Sequence, residues 1–118
     1  MKLSKNFHAD EFSCKCGCDL TGINMDEAFI DLLQKIRAQI DFPLIVTSGL
    51  RCKAHNKRVG GSSRSKHMLG IAVDFYMVDP IDRYELIEFA IDYGLSIGVG
   101  KDFVHLDMRK TTPVLFTY

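Results

Sequence analysis

Between Met25 and Pro43 the chain carries its strongest constraint. Met25, Ala28, Phe29, Leu32, Leu33, Ile36 and Ile40 recur at three- and four-residue steps, which places them on one stripe of a 3.6-residue helix. A helix with one apolar stripe must bury it against a second layer. Asn24 with Glu27 three residues on predicts the start of this helix through a capping-box-like pair. Pro43 predicts its end, because proline disfavours helix at the residue before it. The stripe is core and not a cofactor site.

The second layer announces itself by a change of period. Leu44 to Thr47 reads as a short buried strand, and Ile71 to Val78 as another. Alternation in the latter puts Ala72, Asp74 and Tyr76 on one face and Val73, Phe75 and Met77 on the other. Asp79-Pro80 opens a second helix, with Asp79 as N-cap, that stops near Gly94. Ser96 to Gly100 and Phe103 to Met108 read as a hairpin turning at Lys101-Asp102, and a last strand covers Val114 to Tyr118. Residues 1–22 read as an irregular N-terminal arm anchored by Phe7 and Phe12. The expectation is one α+β domain over residues 1–118, a small antiparallel sheet with two main helices packed against it. With 118 residues, 47% hydrophobic and 25% charged, the chain can build one core without disulfide staples.

Charge excludes some classes of partner. Fifteen basic residues balance fifteen acidic ones, so no global field draws the chain to nucleic acid or membrane. Arg51, Lys53, Lys57, Arg58, Arg64 and Lys66 nevertheless form a basic run with no acidic residue among them. It is either a solvated loop face or a positive rim for an anionic substrate. No aromatic residue interleaves with it, which argues against stacking on nucleic acid. No apolar run is long enough for a membrane span, and no hydrophobic segment follows Met1-Lys2-Leu3-Ser4-Lys5 as a signal peptide would require. The expected location is therefore the cytoplasm as synthesised, and the expected state a monomer. Cys14, Cys16, Cys18 and Cys52 remain open between free thiols, a disulfide and a four-thiolate zinc site.

The stretch Ser48 to Gly70 is rich in Gly, Ser and basic residues, with one helical turn near Ala54 to Arg58. Segments of this kind inside a small domain are usually functional. At its end, Gly70 permits a bend into the strand, and Ala72 leaves space on the face of Asp74, so His67 and Asp74 can converge on one point. In Phe103 to Arg109, His105 and Asp107 share one side of the strand. Two histidines and one carboxylate leave a fourth position for water, the pattern of a catalytic zinc. The same donors could hold iron, though the iron triad usually sits in a larger barrel.

Ser65-x-His67 followed by Gly70, Ala72 and Asp74, and then a distant His105-x-Asp107, resembles the zinc D-alanyl-D-alanine carboxypeptidases. It equally resembles the L-alanyl-D-glutamate endopeptidases of the same superfamily, many of them phage lysins, whose fold is shared with the hedgehog signalling domain. Thr47-Ser48-Gly49-Leu50-Arg51 resembles their strand-end arginine motif, and the likeness runs from Phe7 to about Arg109. It implies one zinc per chain on His67, Asp74 and His105, with Arg51 on the substrate carboxylate or scissile carbonyl. Asp102, where several members have glutamate, would be the general base, with Asp107 as its competitor or as a group orienting a ligand. Ser48 would fix the Arg51 loop and Ser65 would orient His67. The implied substrates are peptidoglycan stem peptides, met at the cell wall after release from the cytoplasm. The alternative is a zinc-containing cell-wall or protein binding module without catalysis.

Overall fold

Asp26, rather than Asn24, caps the first helix. Its side chain accepts from Phe29 N–H at 3.0 Å and α1 runs Glu27–Arg37 in the computed structural model, which describes residues 1–118. Asn24 instead closes a 3-10 turn over Gly22–Asn24, its side chain accepting from Thr21 N–H. The local cap therefore sits two residues later than the spacing predicts, because Asn24 has a partner upstream. After Pro43 come β1 (Ile45–Ser48), α2 (Lys53–Arg58) and a 3-10 turn over Lys66–Leu69. They are followed by β2 (Ala72–Tyr76), α3 (Pro80–Asp92), β3 (Ser96–Val99), β4 (Phe103–Asp107) and β5 (Leu115–Thr117). Asp79 caps α3 through Ile81 and Asp82 N–H, with Pro80 at its first position.

The five strands form one sheet in the order β1-β2-β4-β3-β5. The first three pairings are antiparallel, as the alternation predicts, but β5 joins the edge parallel to β3. One face of the sheet is the core. Val73, Phe75, Ile97, Val104 and Leu106 meet Phe29, Leu33 and Ile36 of α1 and Leu86 and Ala90 of α3 in a single buried cluster. Phe7 and Phe12 are fully buried within it, and the Phe7 ring stacks on Phe75 at 6.3 Å. The arm is thus held by aromatic burial, worth about 1.5–3 kcal/mol per ring.

The opposite face carries the chemistry, and one row of cross-strand partners crosses all five strands. Ser48 pairs with Asp74, Asp74 with His105, His105 with Gly98, and Gly98 with Phe116. The register slips between Val46 and Ser48, so Thr47 is an extra residue in β1. A bulge of this kind bends its strand and re-aims the residues after it, here Ser48 to Arg51, toward β2. Gly98 lacks the side chain that would fill the row. A Cβ there would come within 2.6 Å of the Phe116 ring, which instead lies 5.6 Å from the His105 ring.

Candidate metal centre

His67, Asp74 and His105 are all buried, and their ligand atoms lie within 4.8 Å of one another. Asp74 Oδ1 is 3.2 Å from His67 Nε2 and 2.8 Å from His105 Nδ1. Each arrives from a different element. His67 sits in the turn Lys66–Leu69, whose N-cap Ser65 accepts from His67 N–H at 3.2 Å. That turn ends at Gly70, whose φ of 72° lies in the left-handed region that glycine tolerates. A Cβ on Gly70 would also approach Asn24 O to 2.7 Å, so the bend packs against the approach to α1. Asp74 and His105 come from the centres of β2 and β4.

Each imidazole has its far nitrogen engaged. His67 Nδ1 faces Gly49 O at 2.7 Å, which makes Nδ1 a donor and aims Nε2 at Asp74. His105 Nε2 faces Asp107 Oδ2 at 2.8 Å, which turns Nδ1 inward. Two buried imidazole nitrogens and a carboxylate oxygen aimed at one point are a donor set that suits a divalent cation, zinc in particular, once the nitrogens have given up their protons. The residues present therefore fit such an ion.

The ionisation of the cluster follows from its contacts. Burial would raise the Asp74 carboxyl, but hydrogen bonds from His105 and His67 hold it well below the ordinary carboxylate range. Burial disfavours charge on His105, yet hydrogen bonds to Asp107 and Asp74 outweigh this and raise its pKa. Asp107 is fully buried and accepts from His105 Nε2 and from Arg109 N, Nε and Nη2. Against burial, Arg109 and His105 hold its carboxyl far below the usual value. With its lone pairs filled, Asp107 is built to orient His105 and is poorly placed to accept another proton.

Arg51 bridges the ligands and the loop. Its Nε donates to Ser48 Oγ at 3.2 Å, Nη1 to Asn56 Oδ1 at 3.3 Å and Nη2 to Asp74 Oδ2 at 3.5 Å. Asn56 is itself buried and donates to Ser62 O, which folds the glycine-rich loop back over Arg51. A cleft of about 710 Å³ opens above the three ligands. From the basic run only Arg51, Arg64 and Lys66 line it; Lys53, Lys57 and Arg58 sit on exposed positions of α2. Arg109 joins the cationic wall, while Phe103, Phe116 and Tyr118 also line the cleft.

Asp102 lies elsewhere. It is exposed in the β3–β4 turn, where its carbonyl accepts from Met77 N–H at 2.9 Å, and it is absent from the cleft lining. Conversely, no local signal assigns Arg109, Phe116 or Tyr118 to the cleft. Arg109 stands two residues beyond Asp107, which it grips through N, Nε and Nη2, whereas the two aromatics depend on β5 pairing with β3, which no local signal announces. Burial, and the negative charge of Asp74, raise the Tyr118 phenol to about 12, so it stays a protonated donor at neutral pH.

No curated protein matches the chain significantly. The family model described as Peptidase M15 matches residues 5–107, a span that takes in Arg51, His67, Asp74 and His105. With that match over most of its length, the chain belongs to the peptidase M15 family.

Proposed function

We propose that the protein is a zinc-dependent peptidase that hydrolyses bonds in peptidoglycan stem peptides, of the D-Ala-D-Ala carboxypeptidase or L-Ala-D-Glu endopeptidase type. The observation that carries this reading is the convergence of His67, Asp74 and His105 beneath a cleft walled by Arg51, Arg64, Lys66 and Arg109. Stem peptides carry free carboxylates, and a cationic wall concentrates such substrates.

His67 Nε2, His105 Nδ1 and an Asp74 carboxylate oxygen would hold the ion. Zinc in such a site supplies Lewis-acid polarisation of the scissile carbonyl and activation of a water. Gly49 O and Asp107 fix the orientation of the two imidazole rings. Arg51, positioned by Ser48 and Asn56, presents its guanidinium to a substrate carboxylate or to the negative charge growing on the carbonyl oxygen. The Tyr118 hydroxyl is a second donor on the cleft wall. Asp102 is the general base in this proposal, supported by its place three residues before His105 and immediately before the cleft residue Phe103. The protein would act as a monomer on cell wall reached by release from the cytoplasm, in the manner of a phage or prophage lysin. No helix is long and apolar enough to cross a membrane.

Incubating the zinc-loaded protein with purified muropeptides and identifying new termini by mass spectrometry tests the reading and names the bond. A second reading, a zinc-containing binding module of the same fold, is favoured by one observation, the position of Asp102 outside the cleft lining. It predicts retention of muropeptides without new termini.

A further inference from the structure

Far along the chain from the ligands on β2 and β4, four sulfurs meet. Cys14 is buried, Cys52 half-buried, Cys16 and Cys18 exposed, and all are free cysteines. Cys14 Sγ lies 3.4 Å from Cys16 Sγ, and Cys16 Sγ lies 3.6 Å from Cys52 Sγ. All four sulfurs fall within 4.8 Å of one another. Thiolates at about 2.3 Å from a tetrahedral zinc stand roughly 3.8 Å apart, so the cluster has the size of one coordination sphere.

Two further features suit thiolates in particular. Cys52 N–H donates to Cys14 Sγ at 3.4 Å, and His55 N–H donates to Cys52 Sγ at 3.3 Å. Backbone donors aimed at sulfur stabilise the negative charge that metal-bound cysteine carries. The chain also turns to make the cluster. Gly17 N–H donates to Cys14 O at 3.3 Å and Gly17 takes a φ of 81°, which gathers Cys14, Cys16 and Cys18 from a five-residue loop.

We propose that Cys14, Cys16, Cys18 and Cys52 form a second zinc site, structural in kind. Four protein thiolates close the coordination sphere and leave no position for substrate, unlike the His67, Asp74 and His105 set. The ion ties the N-terminal arm to Cys52, the residue after Arg51. It reinforces the strap made by Leu50 N–H and Phe12 O at 2.8 Å. The site thereby holds the arginine loop in place from behind. It does not depend on the peptidase reading.

The test is metal analysis of the full chain purified in a reducing, zinc-containing buffer. Two zinc ions per chain are expected, with one retained in His67→Ala and one in Cys16→Ser. Because Cys16→Ser can fail to fold, the parent protein loaded with cobalt(II) provides a second measurement. Its spectrum should show intense thiolate-to-cobalt charge-transfer absorption. A His67→Ala protein without zinc, or a cobalt-loaded parent lacking that absorption, would overturn the proposal. So would an intact mass showing the four cysteines paired as disulfides in the folded, reductant-treated protein. Loss of muropeptide hydrolysis with two zinc ions still bound would count against the peptidase reading alone.

Discussion

Asp74 and His105 are directly opposed partners on adjacent antiparallel strands, with Asp74 Oδ1 2.8 Å from His105 Nδ1. Opposed side chains on one face of a sheet come within about 5.5 Å at Cβ, so the pairing sets the contact before any ligand is bound. His67, delivered by the turn that ends at Gly70, completes the set at 3.2 Å from the same carboxylate oxygen. The centre is therefore organised by sheet register, with only one ligand depending on a loop.

Metal affinity should depend steeply on pH. Asp107 and Asp74 raise the His105 pKa above its ordinary 6.5, so a proton must leave when a cation takes Nδ1. Zinc affinity should rise about tenfold per pH unit up to the raised His105 value and then level off. The metal-free protein should behave in the opposite sense. The contribution of His105 is fully present below 6.5 and is lost as pH rises through its folded value. Those of Asp74 and Asp107 are present above their ordinary 3.8 and are lost as pH falls through their depressed values. Thermal melts of chelated protein should thus show greatest stability between 3.8 and 6.5. Calorimetric zinc titrations at several pH values check the first half, and a pH-independent affinity would contradict it.

Arg51→Lys separates substrate recognition from metal binding. Lysine keeps a charge near Asp74 but loses the planar fork that spans Ser48, Asn56 and Asp74. Zinc content should be unchanged, while kcat/KM on muropeptides falls by about 10²–10³. Parent-like activity would return Arg51 to a purely structural part.

Much of this could be read from residues alone, and the failures have physical causes. The α1 stripe, the β2 alternation and the Asp79-Pro80 cap are local signals that the structure carries, although α1 ends at Arg37, so Ile40 lies beyond it and Pro43 does not terminate it. His67, Asp74 and His105 stand out because ligand-type side chains flank a glycine bend and share strand faces. The bulge at Thr47 and the parallel β5 depend on pairing between distant segments, so neither the aim of Arg51 nor the aromatic wall is visible beforehand. Asp102 shows the reverse case, a motif position that is matched in an exposed turn where no local signal fixes the direction of its side chain. The cysteines show a third: spacing leaves three outcomes open, and only the fold brings Cys52 to the other three.

Asp102 and Asp107 should respond differently to the same change. Asp102 is exposed, so Asp102→Asn should leave folding and zinc intact while lowering the rate on the order of 100-fold. Asp102→Glu, with one more methylene of reach, should retain or raise activity. Asp107→Asn removes the negative charge and one of the two acceptor oxygens shared by Arg109 and His105, and should cost about 3 kcal/mol of stability, since the buried charges lose their counter-charge. Denaturant melts with parallel rate measurements distinguish the two. A fully active Asp102→Asn would remove it as the base.

The proposed activity requires that His67, Asp74 and His105 hold a metal ion that lets this chain hydrolyse stem peptides. The most direct measurement is mass spectrometry of purified peptidoglycan digested by three preparations: zinc-loaded parent, parent stripped by chelator and reloaded, and His67→Ala. New amino and carboxyl termini at one type of stem-peptide bond should form with the first two, and at least 100-fold more slowly with His67→Ala. Equal digestion by His67→Ala, or no new termini from fully zinc-loaded parent, would contradict a metal-dependent stem-peptide hydrolase.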